Sequence, residues 1–189
     1  MTTDSEPPVS LGETDRKELL RIARVVIKEH FITGRIPPGA PHRPALLEHL
    51  AAFVTLHVDG QLRGCIGQTD PLKPLYRTVA ELAIEAALHD GRFEPLRREE
   101  LPRTKITISV LSAHSPISHA EEVEVGRHGL LISRGAARGL LLPQVAVEYA
   151  WDRQTFLAEA CHKAGLPADA WQDPATQIEV FTADVFSDS

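Results

Sequence analysis

Cysteine is scarce in this chain, with two residues, Cys65 and Cys161, among 189. Two thiols so far apart make neither a disulfide framework nor a zinc knuckle, and a reducing, cytoplasmic location is the simplest fit. Aromatic residues are only 5%, and 20 basic residues stand against 26 acidic ones for a net charge of −6. That balance argues against non-specific nucleic-acid binding, which depends on neutralising phosphates with Lys and Arg. No apolar run approaches the roughly eighteen residues that a membrane span requires, so no membrane association is expected. The opening segment, Met1-Thr-Thr-Asp-Ser-Glu-Pro-Pro8, carries acids and no apolar core and does not read as a signal peptide. Patterns of the GxGxxG, Walker A, HExxH, CxxC and EF-hand kinds are absent too. No dinucleotide, nucleotide or metal site is therefore indicated, and no cofactor is expected.

The residues that are present describe an ordinary globular chain, 43% hydrophobic and 24% charged. A chain of this length buries roughly 70% of its unfolded surface and needs no staples. Residues 1–12 read as a disordered tail, and 13–189 as a single domain. Leu19, Leu20, Ile22, Ala23, Val26, Ile27 and Phe31 recur at helical spacing, which predicts a helix from Asp15 to Ile32 ended by Gly34. Four prolines between Arg35 and Pro44 mark an ordered loop or arm. A second helix is expected from Pro74 to Leu88 and a half-buried strand over 105–112. Shorter strands are expected at Glu121–Val125, Leu130–Ser133 and Gly139–Leu142. The segment from Gln144 turns helical and breaks near Trp151, with Asp152 as an N-cap and Gly165 past the end. A final strand covers 177–186. This order is no regular βα repeat. It reads as α+β, with a largely antiparallel sheet and helices packed on it.

The densest chemistry lies in Gln61-Leu-Arg-Gly-Cys-Ile-Gly67. It follows the alternating run 52–58 across Asp59-Gly60, the dipeptide of a type I′ hairpin turn, where both central residues need φ > 0. Cys65 then sits in a strand between Gly64 and Gly67, residues that weaken a strand unless something approaches the backbone closely. Arg63, two residues away, is expected to share a face with the thiol and to favour its thiolate form. His128, in Gly126-Arg-His-Gly129, is the best-placed histidine to line a site. Cys161 reads as a packed core thiol on an amphipathic helix. Asp90 and Arg92 read as a salt bridge on a loop surface. Gln144 opens a helix whose free N–H groups suit an anion.

Several segments taken in order resemble the AmmeMemoRadiSam system protein A family, the AMMECR-type domain of the Alport-syndrome contiguous-deletion proteins. They are Leu62-Arg-Gly-Cys-Ile-Gly67, Gly91-Arg-Phe-Glu-Pro-Leu96 with Glu99-Glu-Leu-Pro102, Ser109-Val-Leu111, Gly126-Arg-His-Gly129, Leu142-Pro-Gln-Val-Ala146, Trp151-Asp152 and Lys163-Ala-Gly165. The resemblance covers roughly residues 15–186. Gly91 departs from the pattern, which carries proline or serine there. The resemblance implies a large and a small lobe with a cleft between them. It also implies two partners, a Memo-like protein and a radical S-adenosylmethionine enzyme. Cys65 and His128 are then candidate catalytic residues, and Arg63, Gly64, Gly67, Arg92 and Gln144 candidate binding residues. Two functions compete: covalent or acceptor chemistry at Cys65, or a non-catalytic adaptor docking the two partners. An accessible Cys65 favours the first, and a buried one the second.

Overall fold

The structure, a computed structural model, describes residues 11–36 and 41–188. Most of the expected tail and positions 37–40 of the proline-rich arm lie outside the described residues. Leu11 is buried, and Gly12 is the N-cap of the first helix. The chain divides into two compact units, one comprising Ser10–Leu111 with Asp184–Ser189 and the other Ser112–Ala183.

The first unit holds helices α1 (Glu13–Thr33) and α2 (Leu75–Leu88) and strands β1 (Ala52–Val58), β2 (Gln61–Gln68), β3 (Thr104–Leu111) and β8 (Ala183–Ser187). Gly34, at φ 68°, ends α1 as its composition predicts. The strands lie in the order β2-β1-β3-β8, which leaves β2 at an edge. Asp59 and Gly60 both have positive φ, and Val58 sits opposite Gln61, so the hairpin expected from Asp-Gly is present. Alternation along β1 sorts the sheet faces. Ala52, Val54 and Leu56 are fully or almost fully buried and lie opposite Val110, Ile108 and Ile106, forming a core with Leu19, Ala23, Val79 and Ala83 of the helices. Phe53, Thr55 and His57 occupy the other face.

The second unit contains a separate antiparallel sheet in the order β4-β7-β5-β6, made of β4 (Ser115–Pro116), β5 (Gly129–Arg134), β6 (Ala137–Leu141) and β7 (Gln177–Phe181). Helices α3 (Pro143–Glu148) and α4 (Arg153–Lys163) belong to it as well. Leu130, Ile132, Phe156, Leu157, Ala160 and Cys161 form its core. Gly139 permits the contact between β6 and the end of α4, since a Cβ there would lie 2.3 Å from the backbone nitrogen of Ala164. Asp152 caps α4, its carboxylate accepting the Thr155 N–H at 2.8 Å, and Gly165 follows with φ 73°.

Two sequence expectations need correction. Glu121–Val125 is no strand; a 3-10 turn occupies Ala120–Glu122. The Glu122 carboxylate reaches back to accept the N–H groups of Ser118 and His119 at 3.0 and 2.9 Å, a closure that competes with extended pairing. The expected single strand 177–186 is two strands in different sheets. Thr182 divides them: its N–H donates to Ser112 Oγ and its carbonyl accepts from the Ser112 N–H, each at 2.9 Å.

Candidate functional site

Cys65 lies half-buried on β2, opposite Thr55 of β1, whose hydroxyl Oγ1 donates to Cys65 Sγ at 3.1 Å. The peptide groups of Cys65 turn away from β1. Its N–H donates to Asp90 Oδ2 at 2.8 Å, and its carbonyl accepts from Arg92 Nη2 at 2.9 Å. Thr55 and Cys65 are therefore a non-hydrogen-bonded pair, the kind in which opposed side chains approach most closely. Asp90 and Arg92 stand where a further strand would otherwise dock, and they satisfy the open edge with side chains.

Asp90 and Arg92 form a bidentate pair, with Arg92 Nε and Nη2 at 2.9 and 2.8 Å from the two carboxylate oxygens. The Asp90 side chain is only 4% exposed whereas that of Arg92 is 61% exposed. The Arg92 guanidinium, and then the Cys65 and Arg92 backbone N–H groups, hold the Asp90 carboxyl far below its usual range against the opposing cost of burial. Arg92 is pushed up in turn, first by Asp90 and further by the Cys65 sulfur. Arg92, donating to the Cys65 carbonyl at 2.9 Å, is thus a cation held on the residue that carries the thiol.

Arg63 has another task. Gly64 pairs with Leu56 and Leu62 with His57, so a bulge at this point interrupts the alternation expected to align Arg63 with Cys65. The Arg63 guanidinium donates to the carbonyls of Glu94 and Pro95 and meets Glu100 Oε2 at 3.2 Å. Glu100 is buried and held below its usual range, first by the Arg97 N–H and then, against the cost of burial, by Arg63. Arg63 therefore anchors the loop between α2 and β3. Gly64 faces α2, where a Cβ would lie 2.0 Å from the Ala86 carbonyl oxygen. Gly67 lies beneath the Phe53 ring, 2.1 Å from where its Cβ would be. The glycines serve close approach, as expected, and the groups approaching are a helix backbone and an aromatic ring.

His128 and Gln144 belong to the second unit. His128 Nδ1 accepts the Glu124 N–H at 3.2 Å, and its backbone N–H donates to the Glu124 carbonyl at 2.9 Å. Burial lowers the His128 pKa, partly offset by Glu124. The ring closes its own loop. Gln144 stands in α3, a helix of six residues, with its buried Oε1 lacking a hydrogen-bond partner among the described residues. Cys65, Arg63, Gly64, Gly67 and Arg92 are brought together within one unit. Sequence reasoning read Asp90 only as the partner of Arg92 in a salt bridge, which is present, and did not place it in the site. Its signal was the Asp-Gly-Arg order directly after α2, beside a hairpin strand with a free edge.

Chemically, the site offers a sulfur with one hydroxyl donor, a cation held by Asp90, and a main chain bound on its open side by two side chains. Among the described residues no group of three His, Cys, Asp or Glu side chains could hold a metal ion, and no helix is long and apolar enough to cross a membrane.

These elements define an α+β domain with a half-buried cysteine on a clamped edge strand. The AMMECR1 family model matches residues 20–186, and the chain belongs to that family. A protein of Thermococcus gammatolerans is 44% identical over 181 residues, covering 90% of this chain and 88% of the relative. One from Methanothermobacter thermautotrophicus is 42% identical, covering 93% and 95%. The crystal structure of the uncharacterised protein PH0010 from Pyrococcus horikoshii superposes with a TM-score of 0.86 at 40% identity, covering 92% of this chain and 91% of that one.

Proposed function

We propose that this domain acts through Cys65 as a nucleophilic or acceptor thiol, as component A of an AmmeMemoRadiSam-type system. One observation carries the reading: Cys65 is only partly buried, and its backbone is clamped from outside by Asp90 and Arg92. Attack on an electrophilic carbon forms an S–C bond, the thiol proton passes to solvent, and the carbon's leaving group departs with the electron pair of the bond that breaks. Arg92 stabilises negative charge on the sulfur or on an anionic group brought to it. The electrophile, and any radical or redox step, comes from a Memo-like protein and a radical S-adenosylmethionine enzyme.

The test is intact-mass measurement of iodoacetamide labelling at pH 7, with Cys65→Ser identifying the site. Arg92→Gln is expected to slow labelling of Cys65 several-fold per folded molecule. Equal rates in the two proteins would remove Arg92 from the chemistry, and an unreactive Cys65 would remove the thiol reading itself.

The adaptor reading draws on a different observation. Val147 and Tyr149 are 60% and 66% exposed, and Tyr149 stacks on Trp151 at 4.9 Å beside Ala150, a non-glycine residue at φ 51°. An exposed apolar patch at a strained junction suits protein docking. Co-purification with a Memo-like partner that survives Cys65→Ser and is lost in Tyr149→Ser would favour this reading.

A further inference from the structure

The first unit contains a pocket of about 320 Å³ between α1 and the 3-10 turn Arg98–Arg103. Phe31, Leu101 and Pro102 give it apolar walls, and Arg24, Lys28 and Arg98 complete the lining. Arg24, Lys28 and Phe31 follow one another at four and three residues, so they share a helix face. The volume falls in the ordinary range for small-molecule sites.

The charges are arranged unusually for so acidic a chain. Three cations surround the pocket and no carboxylate lines it, although acids outnumber bases 26 to 20 overall. Arg24 is fixed in place. It donates to the carbonyls of Leu101 and Thr104 at 2.9 and 2.6 Å and pairs with Asp188. Lys28 and Arg98 are exposed, and neither forms an ion pair with a carboxylate among the described residues. Two uncompensated cations thus stand at the mouth of an apolar pocket, with a third set at its wall.

We propose that this pocket binds a small amphiphile with an anionic head, a carboxylate or a phosphate monoester, on an apolar body. The body packs against Phe31, Leu101 and Pro102. The head meets Lys28 and Arg98, whose donors form charge-assisted hydrogen bonds with either anion. Arg24 joins the wall to α1, its charge offset by Asp188. The site is separate from Cys65 and does not depend on the thiol reading.

The test uses the full chain at low ionic strength, with octanoate, octyl phosphate and uncharged octanol titrated by calorimetry and followed by amide chemical shifts. Both anions are expected to bind, with shifts centred on residues 24–31 and 98–104. Octanol should bind about tenfold more weakly. Lys28→Gln with Arg98→Gln should weaken the anions about threefold to tenfold, as two partly screened charge contacts would, and leave octanol unchanged. Both side chains are exposed, so the fold should be retained, and Lys28→Gln alone gives a smaller loss in the same direction. The ratio of the two anions' affinities identifies the preferred head group. Octanol binding as tightly as octanoate, equal anion binding by the double variant, or no anion binding at millimolar concentration would each overturn the proposal.

Discussion

Asp90 Oδ2 lies 2.8 Å from the backbone nitrogen of Cys65, so a buried carboxylate serves the main chain of the strand carrying the thiol. Arg92 completes the pattern at the Cys65 carbonyl, and together the two side chains imitate a neighbouring strand. One consequence is orientation of Cys65. The other is protection of an edge that would otherwise pair with other chains.

Replacing Asp90 with Asn should cost about 2–3 kcal/mol at neutral pH, since charge-assisted hydrogen bonds to a buried group are lost while the Arg92 end is largely solvent-screened. The pH dependence has a definite sign. The folded Asp90 carboxyl is held far below the roughly 3.9 of an unfolded Asp. Its contribution is therefore full above that value and is lost as pH falls toward the folded pKa, where the unfolded chain already binds the proton. Urea unfolding at pH 7, 4 and 3 should show the gap between wild type and Asp90→Asn narrowing with acid. A gap constant across that range would contradict the assignment.

Gly64→Ala should destabilise by about 3 kcal/mol or more, because the new Cβ would lie 2.0 Å from the Ala86 carbonyl oxygen, an atom of helix backbone that cannot swing aside. Gly91→Ala is the contrasting case. It meets nothing within 4 Å and has no left-handed φ, so it should be neutral or slightly stabilising. Paired thermal melts of the two variants decide both points.

The two thiols should separate cleanly. Cys161 is 0% exposed and burial pushes its thiol up, so iodoacetamide should modify it only on unfolding, while Cys65 reacts in the native protein. Peptide mapping after brief labelling, with and without urea, is the check. Native labelling of Cys161 ahead of Cys65 would be incompatible with this packing.

The parts of the fold legible in sequence were those set by local chemistry. Asp59-Gly60 defined the hairpin, Gly34 and Gly165 the helix ends, and Asp152 the cap of α4. The errors arose where a long-range partner decides the local state. Nothing local announces that Thr182 will exchange hydrogen bonds with Ser112, seventy residues away, and so divide one alternating run between two sheets. The site follows the same rule. The Cys65 segment stood out through its glycines, but the roles of Arg63 and Arg92 were set by the bulge in β2 and by the loop after α2. Asp90 looked like half of a surface pair because its acceptor role is to a backbone 25 positions earlier.

The two arginines of the site should accordingly behave as opposites. The Arg63 side chain is 18% exposed and supports two backbone carbonyls and Glu100, itself 10% exposed. Arg63→Gln leaves a buried carboxylate with its Arg97 contacts alone, which should cost about 2–3 kcal/mol. Because its guanidinium points into the 94–100 loop, the labelling rate of Cys65 in the folded fraction should stay within about twofold of wild type, less than the effect of a charge contact of about 1 kcal/mol. Arg92→Gln should instead slow that rate several-fold. Measuring both variants below their unfolding transitions separates the two effects, because stability and thiol reactivity are then read independently. Slower labelling in Arg63→Gln than in Arg92→Gln would mean that the cation acting on the sulfur is the one on its own strand, as alternation alone suggests, and that the bulge does not isolate it.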